Sequence, residues 1–526
     1  MSHMIPGPGW LGAPGQKVGR IIPNPPGLDG VGTSSRRVKD NAPYPFRHPL
    51  RRAGFLLAVI GAAMVGGCVI DQTKEVQTYR DVLDQHAPKP KPLEPGETLT
   101  LERALALANA DNEQLASQGE TYLQSLINKN RAVAAFLPSV SFQPNFTLEQ
   151  APKGGATASP GAPSTSAAAA AASSGGYVQQ GNVLRRFEAP VVGSMNLSYY
   201  NVPTLKGAET TVVQQRQLLL DAQATVLLNV AQTYYQVLIS TRQAAVLQDS
   251  LALQAARVRD VEGRFKVRLA LALEVSQARS AQSATQVLLT QAKNDVRNGR
   301  RTLAVLIGAA QVDGPLVDET VPPEQLSPVS TYVEQAVARR PDLLAAQAAV
   351  KAAHYAVDAA VSEYYPSVSL NVAGFLYREN YANATKWDGI LLANLPIFSP
   401  GTIKADVRTA WSRLRQAALF ESYLRRQIEQ GVQSAYDNFV TSGGQLTELQ
   451  REVLAASDAY QQSVQLEKNG LAIPLDVLTA QNTLLNAKLQ YASEAFSRTV
   501  YYLDLLRTTG DLNPRTPESL QPGGGK

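Results

Sequence analysis

Cysteine is almost absent. The 526 residues hold one, Cys68, so no intramolecular disulfide forms and no thiolate cluster binds a metal. Histidine is nearly as scarce. His3, His48, His86 and His354 are far apart in sequence, and His354 sits alone in an alanine-rich helical stretch, where it reads as a helix-surface residue. No GxSxG, GxxxxGK[ST], HExxH or CxxC motif occurs. The chain is therefore expected to be no enzyme and to use neither metal nor cofactor. Charge of one sign is also lacking: 49 basic against 44 acidic residues leave +5, and much of the excess lies in the first 52 residues. No basic face interleaved with aromatics appears, which argues against a nucleic-acid partner. Long apolar runs are missing too. The one sustained run, 53–67, falls short of the ~20 residues a membrane-spanning helix needs.

That short run is informative. It follows Arg51 and Arg52 and ends in Val65-Gly66-Gly67-Cys68. A basic start, an apolar middle and small residues before a cleavage point make a secretory signal. VGGC also resembles the bacterial lipobox, which implies lipidation of Cys68 as the first mature residue. An Asp after that cysteine tends to retain lipoproteins at the inner membrane; here the position is Val69, which permits onward sorting. Residues 1–46, rich in Pro and Gly, precede this signal and read as a disordered extension ahead of the true start.

The rest is a duplication. FLPSVSF at 136–142 returns as YYPSVSL at 364–370, VAQTYYQVL (230–238) as VQSAYDNFV (432–440), and LALALEVSQA (269–278) as LAIPLDVLTA (471–480). The first copy carries extra residues between Pro138 and Tyr235. Residues 151–180, nearly all Ala, Ser, Gly and Pro, account for them and read as an exposed, flexible loop.

Each copy has the same texture. Residues 139–148 alternate Val140, Phe142, Phe146 and Leu148 against Ser141, Gln143, Asn145 and Thr147, and 367–372 repeat the pattern. Period two marks strands. From Leu227, steps of three and four pass through Val230, Tyr234, Val237, Ala244 and Leu251; in the second copy they pass through Leu446, Leu449, Val453, Ala456 and Tyr460. Such a seam predicts helices of about 50 residues, about 75 Å long, packed as coiled coils. Alternation alone fits equally a soluble antiparallel sheet on a helical domain. If the sheet stands in lipid, four strands cannot close by themselves. Two copies give about eight, a barrel filled by its own side chains, and three give about twelve, enough for a lumen.

Several motifs are similar to those of the TolC-like outer-membrane efflux proteins. PGETLTLERALALANADNEQL (95–115) resembles the family's opening, and RRPDLLAAQAAVKAAHYAVDAAVSEYYPSVSL (339–370) resembles the start of its second half. LPIFSPGTIKADVRTA (395–410) is similar to the strand-to-helix crossing at the barrel base. VRLALALEVSQAR (267–279) and NGLAIPLDVLTAQ (469–481) are similar to the turns at the tunnel's periplasmic tip, and LAVLIG (303–308) to the end of the first repeat. The likeness spans roughly 95–510. It implies a homotrimer with a mixed α and membrane-β fold: a 12-stranded barrel, four strands per protomer, continued by a long α-helical coiled-coil tunnel. The expected boundaries are an extension and signal (1–67), a lipid-anchored linker (68–98), a first repeat (99–308), a connector (309–330), a second repeat (331–510) and a tail (511–526). Strands are expected near 139–148, 191–200, 367–376 and 389–398, with an exposed loop at 149–190.

Function follows from the same resemblance. It implies an outer-membrane exit duct, lipid-anchored, passing small amphiphilic compounds from a periplasmic adaptor (membrane fusion protein) and an inner-membrane pump of the resistance-nodulation-division type. The alternatives are a type I protein-secretion duct and a periplasmic adaptor lipoprotein. Asp476 matches the acidic ring at the closed periplasmic end, Glu274 is its counterpart in the first copy, and Thr479 stands at the family's second acidic position. Such a ring gates and prefers cations. Equally, Asp476 reads as a first-turn carboxylate capping the helix after Pro474. Leu269, Arg268, Gly470 and Leu471 are candidates for adaptor docking, or simply for packing at the tips. Two departures stand out. Arg268 occupies a position where the family commonly has Gly, and the first crossing, YYNVPTLKGAE (199–209), lacks the usual Gly pair.

Overall fold

Two stretches, each nearly free of helix breakers, set the dimensions of the molecule. After Pro203 no proline interrupts Asn201–Lys266, and none occurs in Thr402–Lys468, so both form single helices of 66 and 67 residues, each ~100 Å long. The structure is a computed structural model, and it describes residues 71–84, 90–150, 183–317, 322–323, 326–379 and 385–513. Cys68 and the signal lie outside the described residues, as do most of the Ala/Ser/Gly loop and the end of the tail.

In chain order the elements are α1 (Gln72–Asp84), β1 (Leu99–Thr100), α2 (Leu101–Asp111), α3 (Glu113–Ala134), β2 (Ser139–Phe142), β3 (Asn145–Gln150), β4 (Val183–Ser198), α4 (Asn201–Lys266) and α5 (Ala272–Leu306). Then follow β5 (Leu316–Val317), α6 (Val329–Arg339), α7 (Pro341–Ser362), β6 (Ser367–Glu379), β7 (Trp387–Asn394), α8 (Thr402–Lys468) and α9 (Pro474–Thr509). The duplication is visible in the lengths. α2 and α6 have 11 residues each, α3 and α7 have 22 each, α4 and α8 have 66 and 67, and α5 and α9 have 35 and 36.

The long helices pair into two antiparallel hairpins, α4 with α5 and α8 with α9, and α4 also packs along α9. Their midpoint is held by a core in which Tyr234, Tyr235, Leu99, Leu105, Leu303 and Leu503 are wholly buried. The Tyr234 hydroxyl donates to the Leu99 carbonyl at 2.7 Å and accepts from the Val317 N–H at 3.0 Å. One buried phenol thus ties α4 to the parallel pair β1–β5, which brings the start of the first repeat beside the link between repeats.

The other strands form one antiparallel sheet in the order β2/β3, β4, β6, β7. β2 and β3 both pair with β4 and are one strand broken at Gln143-Pro144, because proline cannot donate to the ladder. β4 begins at Val183, eight residues before the expected strand, so 183–190 is ladder where a loop was expected. Arg185, Arg186 and Glu188 hid its alternation. β7 ends at Asn394, short of the expected 398, because Pro396 and Pro400 interrupt the next residues. The helices exceed the expected ~50 residues because α4 starts at Asn201, directly after the sheet.

Candidate functional site

The sheet's register sorts its side chains into two faces. Neighbouring strands place Phe142, Val191, Gly374 and Trp387 in one row, Val140, Gly193, Val372 and Gly389 in the next, then Met195, Leu370 and Leu391. On the opposite face stand Ser139, Ser194 and Asn371 in one row and Asn196 and Ser369 in another, each row ending on β7 in an aliphatic residue, Ile390 and Leu392. The Ser139 and Ser194 hydroxyls bond each other at 2.7 Å. Both outer strands, β2/β3 and β7, have a ladder partner on one side only among the described residues. Val140 and Leu391 on these edge strands are each 71% exposed. An apolar face open to the surroundings and two free edges form a surface that water does not favour.

The opposite ends of the hairpins are built alike. In the first, the chain reverses through Arg268 at φ 60, and the Leu269 N–H donates to the Arg264 carbonyl at 2.8 Å. In the second it reverses through Gly470 at φ 72, and the Leu471 N–H donates to the Leu466 carbonyl at 2.8 Å. Both are Schellman-type endings, with a left-handed residue closing the helix. Leu269 is 77% exposed and Leu471 75%. Two large aliphatic side chains thus project from the two turns.

Glu274 and Asp476 occupy the same position in the first turns of α5 and α9. Asp476 Oδ2 accepts the Ile473 N–H at 3.2 Å, so its carboxylate caps the helix. Glu274 is half-buried and has no polar side-chain partner among the described residues. Thr479 turns its hydroxyl back to the Leu475 carbonyl at 2.9 Å. In a single chain the capping reading of Asp476 is satisfied.

Sequence reasoning missed the residue that joins the two ends. Glu467, in the last turn of α8, has a side chain only 4% exposed; Arg257 of α4 grips it with both guanidinium nitrogens, and Arg264 adds a contact at 3.4 Å. A signal was available. A carboxylate in a helix's last turn opposes the helix dipole and calls for a cationic partner. A second charge cluster sits nearer the midpoint. Arg507 pairs with Asp221 at 2.6 Å, and Arg340 holds Asp342 through two hydrogen bonds while donating to the Thr508 carbonyl at 3.3 Å. Burial keeps the Asp221 carboxyl above the usual carboxylate range, with Arg507 pulling it back down. Burial also pushes Asp342 up, but the hydrogen bonds and charge of Arg340 outweigh it and hold that carboxyl low. Asp504, half-buried, is raised by burial.

With this geometry in view, the relatives become specific. Residues 332–511 match the model of the outer membrane efflux protein family. That match covers the second repeat, 180 of the 526 residues. It is 27% identical over 58% of its length to the outer membrane efflux protein BepC of Brucella suis biovar 1 and covers 67% of that protein. To the cation efflux system protein CusC of Escherichia coli K12 it is 23% identical over 54% of its length, and covers 63%. The chain thus spans about two thirds of the length of the curated relatives it matches. Its fold is that of the Campylobacter jejuni CmeC outer membrane channel, with a TM-score of 0.66 at 17% identity, over 79% of this chain and 86% of the other. A strand sheet continued by long helical hairpins is thus a fold that this chain shares with that solved channel.

Proposed function

We propose that this chain is one third of an outer-membrane exit duct, closed as a homotrimer and driven by an inner-membrane pump through a periplasmic adaptor. The observation that carries the reading is the incomplete sheet: four strand positions, two free edges and one apolar face, mounted on helices ~100 Å long. Three copies joined edge to edge, β7 of one beside β2/β3 of the next, make twelve strands with no free edge, the condition for standing in lipid. Adjacent strands then remain antiparallel throughout. The serine- and asparagine-bearing face lines water and the apolar face meets acyl chains. No helix of the described residues is long and apolar enough to cross a membrane.

Small amphiphilic compounds are the cargo in this reading, and a resistance-nodulation-division pump is the partner. The duplication of both strands and helices speaks against an adaptor, which needs one hairpin only. Lipidation of Cys68, four residues before α1 in the sequence, belongs to this reading. α1 lies against α3, where the Tyr79 ring covers Gly119 so closely that any Cβ there would clash. Its Leu83 end meets Gln223 beside Asn109, so its start faces the strand end of α3.

At the far end, Asp476 from three copies forms an acidic ring, with Glu274 and Thr479 around it, and acts as a cation-preferring gate. Leu269, Arg268, Gly470 and Leu471 offer the adaptor two exposed turns. The test is reconstitution. Membrane fractionation and cross-linking are expected to give a lipid-modified trimer in the outer membrane, and a soluble monomer overturns the reading. In planar bilayers Asp476→Asn is expected to raise basal conductance or weaken block by divalent cations; an unchanged trace leaves Asp476 as a cap alone.

A further inference from the structure

Midway between the hairpin ends and the central core, the helix interface contains polar groups that no neighbour satisfies. Ser250 and Gln254 of α4 and Gln481 of α9 are 7%, 0% and 4% exposed. The Ser250 hydroxyl, the Gln481 amide nitrogen and both amide atoms of Gln254 have no hydrogen-bond partner among the described residues. Buried polar groups are bonded in nearly all native proteins, so such a cluster calls for an occupant.

Ser250 and Gln481 line a groove of about 310 Å³ where α4, α8 and α9 meet. That volume lies at the lower end of the ~300–1,000 Å³ of small-molecule sites and far exceeds the ~30 Å³ share of one water. Its walls include Leu253, Leu484 and Val453, an apolar bed. Its rim carries Arg242 and Lys488, which have no ion-pair partner among the described residues, against one carboxylate, Asp249. Arg242 and Lys488 outnumber Asp249 on the rim, and the Gln481 amide nitrogen and the Ser250 hydroxyl can both donate, so the groove is complementary to an occupant with an acceptor head.

We propose that this groove binds a small amphiphile with an anionic head, its head held by Lys488, Arg242 and the buried Gln481 and Ser250 donors, its tail on Leu253 and Leu484. The site lies within one chain, needs no closed pore, and stands or falls independently of the exit-duct reading. The experiment uses the full-length protein in lipid nanodiscs, irradiated with decanoate carrying a diazirine and, in parallel, with decylammonium carrying the same group. The decanoate probe is expected to label segments 242–254 and 481–491 saturably. Lys488→Ala, an exposed change that leaves packing intact, is expected to lower that labelling about tenfold, the loss of one charge-assisted contact. Gln481→Glu, which sets a negative charge against the head, is expected to abolish it. Equal labelling by the cationic probe, or full labelling of the Lys488→Ala protein, overturns the proposal. So does the absence of adducts in these two segments, the outcome if water alone fills the groove.

Discussion

The two copies answer the loss of a glycine in opposite ways. At the hairpin ends, Gly470 of the second copy adopts φ 72, and Arg268, its counterpart 202 residues earlier, is forced to φ 60, the one non-glycine residue with positive φ among the described residues. At the crossings from sheet to helix, Gly401 adopts φ 87 before α8, whereas Tyr200, its counterpart before α4, is right-handed at φ −52. The difference is one of constraint. At the ends, two long helices already pack against each other, and the chain must reverse within a few residues whatever its sequence. At the crossings, seven residues (395–401) separate β7 from α8, but only Tyr199 and Tyr200 separate β4 from α4, and a direct join needs no left-handed turn. The longer crossing also leaves Ile397 and Phe398 93% and 85% exposed. Geometry held by tertiary packing survives an unsuitable residue, and geometry held locally changes with it.

That contrast can be broken. The largest effect is expected at Glu467, whose first-copy counterpart is the exposed Phe265, and which ion-pairs the two ends through Arg257 and Arg264. Glu467→Ala strands Arg257, whose side chain is 16% exposed, and is expected to cost about 3 kcal/mol. Amide exchange across 255–268 and 463–475 measures it, and unchanged protection would show that packing suffices. Gly470→Ala is next. The added Cβ meets nothing within 4 Å, so the cost is backbone strain alone, about 1 kcal/mol, read in the same exchange experiment. Arg268→Gly has the opposite sign and is expected to stabilise the first end by roughly 0.5 kcal/mol, since the relief of strain exceeds the entropy a glycine adds. A loss of stability instead would mean that the Arg268 side chain holds the end in place. The smallest effect separates the two carboxylates. Glu274→Gln is expected to change conductance less than Asp476→Asn, because Asp476 is fixed by a cap and Glu274 is not; an equal change would give the two copies equal weight at the proposed gate.

Much of this architecture is legible in the residues. Strand positions at 139–142 and 367–372 follow from strict alternation, and the helical seam through Tyr234 and Val237 is visible because apolar contacts recur every three to four residues. The strand at 183–190 was not legible. Its arginines and glutamate belong to pairings with 145–150 and with β6 that lie far away in sequence; Arg378 of β6, stacked on Phe375, is 3.5 Å from Glu188. The candidate site divides in the same way. The exposed leucines and first-turn carboxylates are sequence-local and could be named in advance. The Glu467 clamp and the Ser250–Gln481 groove join residues more than 200 positions apart, and composition says nothing of their meeting.

The sequence by itself determined the duplication, the period of each element and the residue types at the turns, because these depend on neighbours within one helical turn or one strand. The tertiary structure decided which strands pair, which carboxylate is buried and which polar groups lack partners. Those outcomes depend on how two long hairpins are set against each other, and the offset that fixes their contacts is a property of packing along ~100 Å of helix rather than of any short segment.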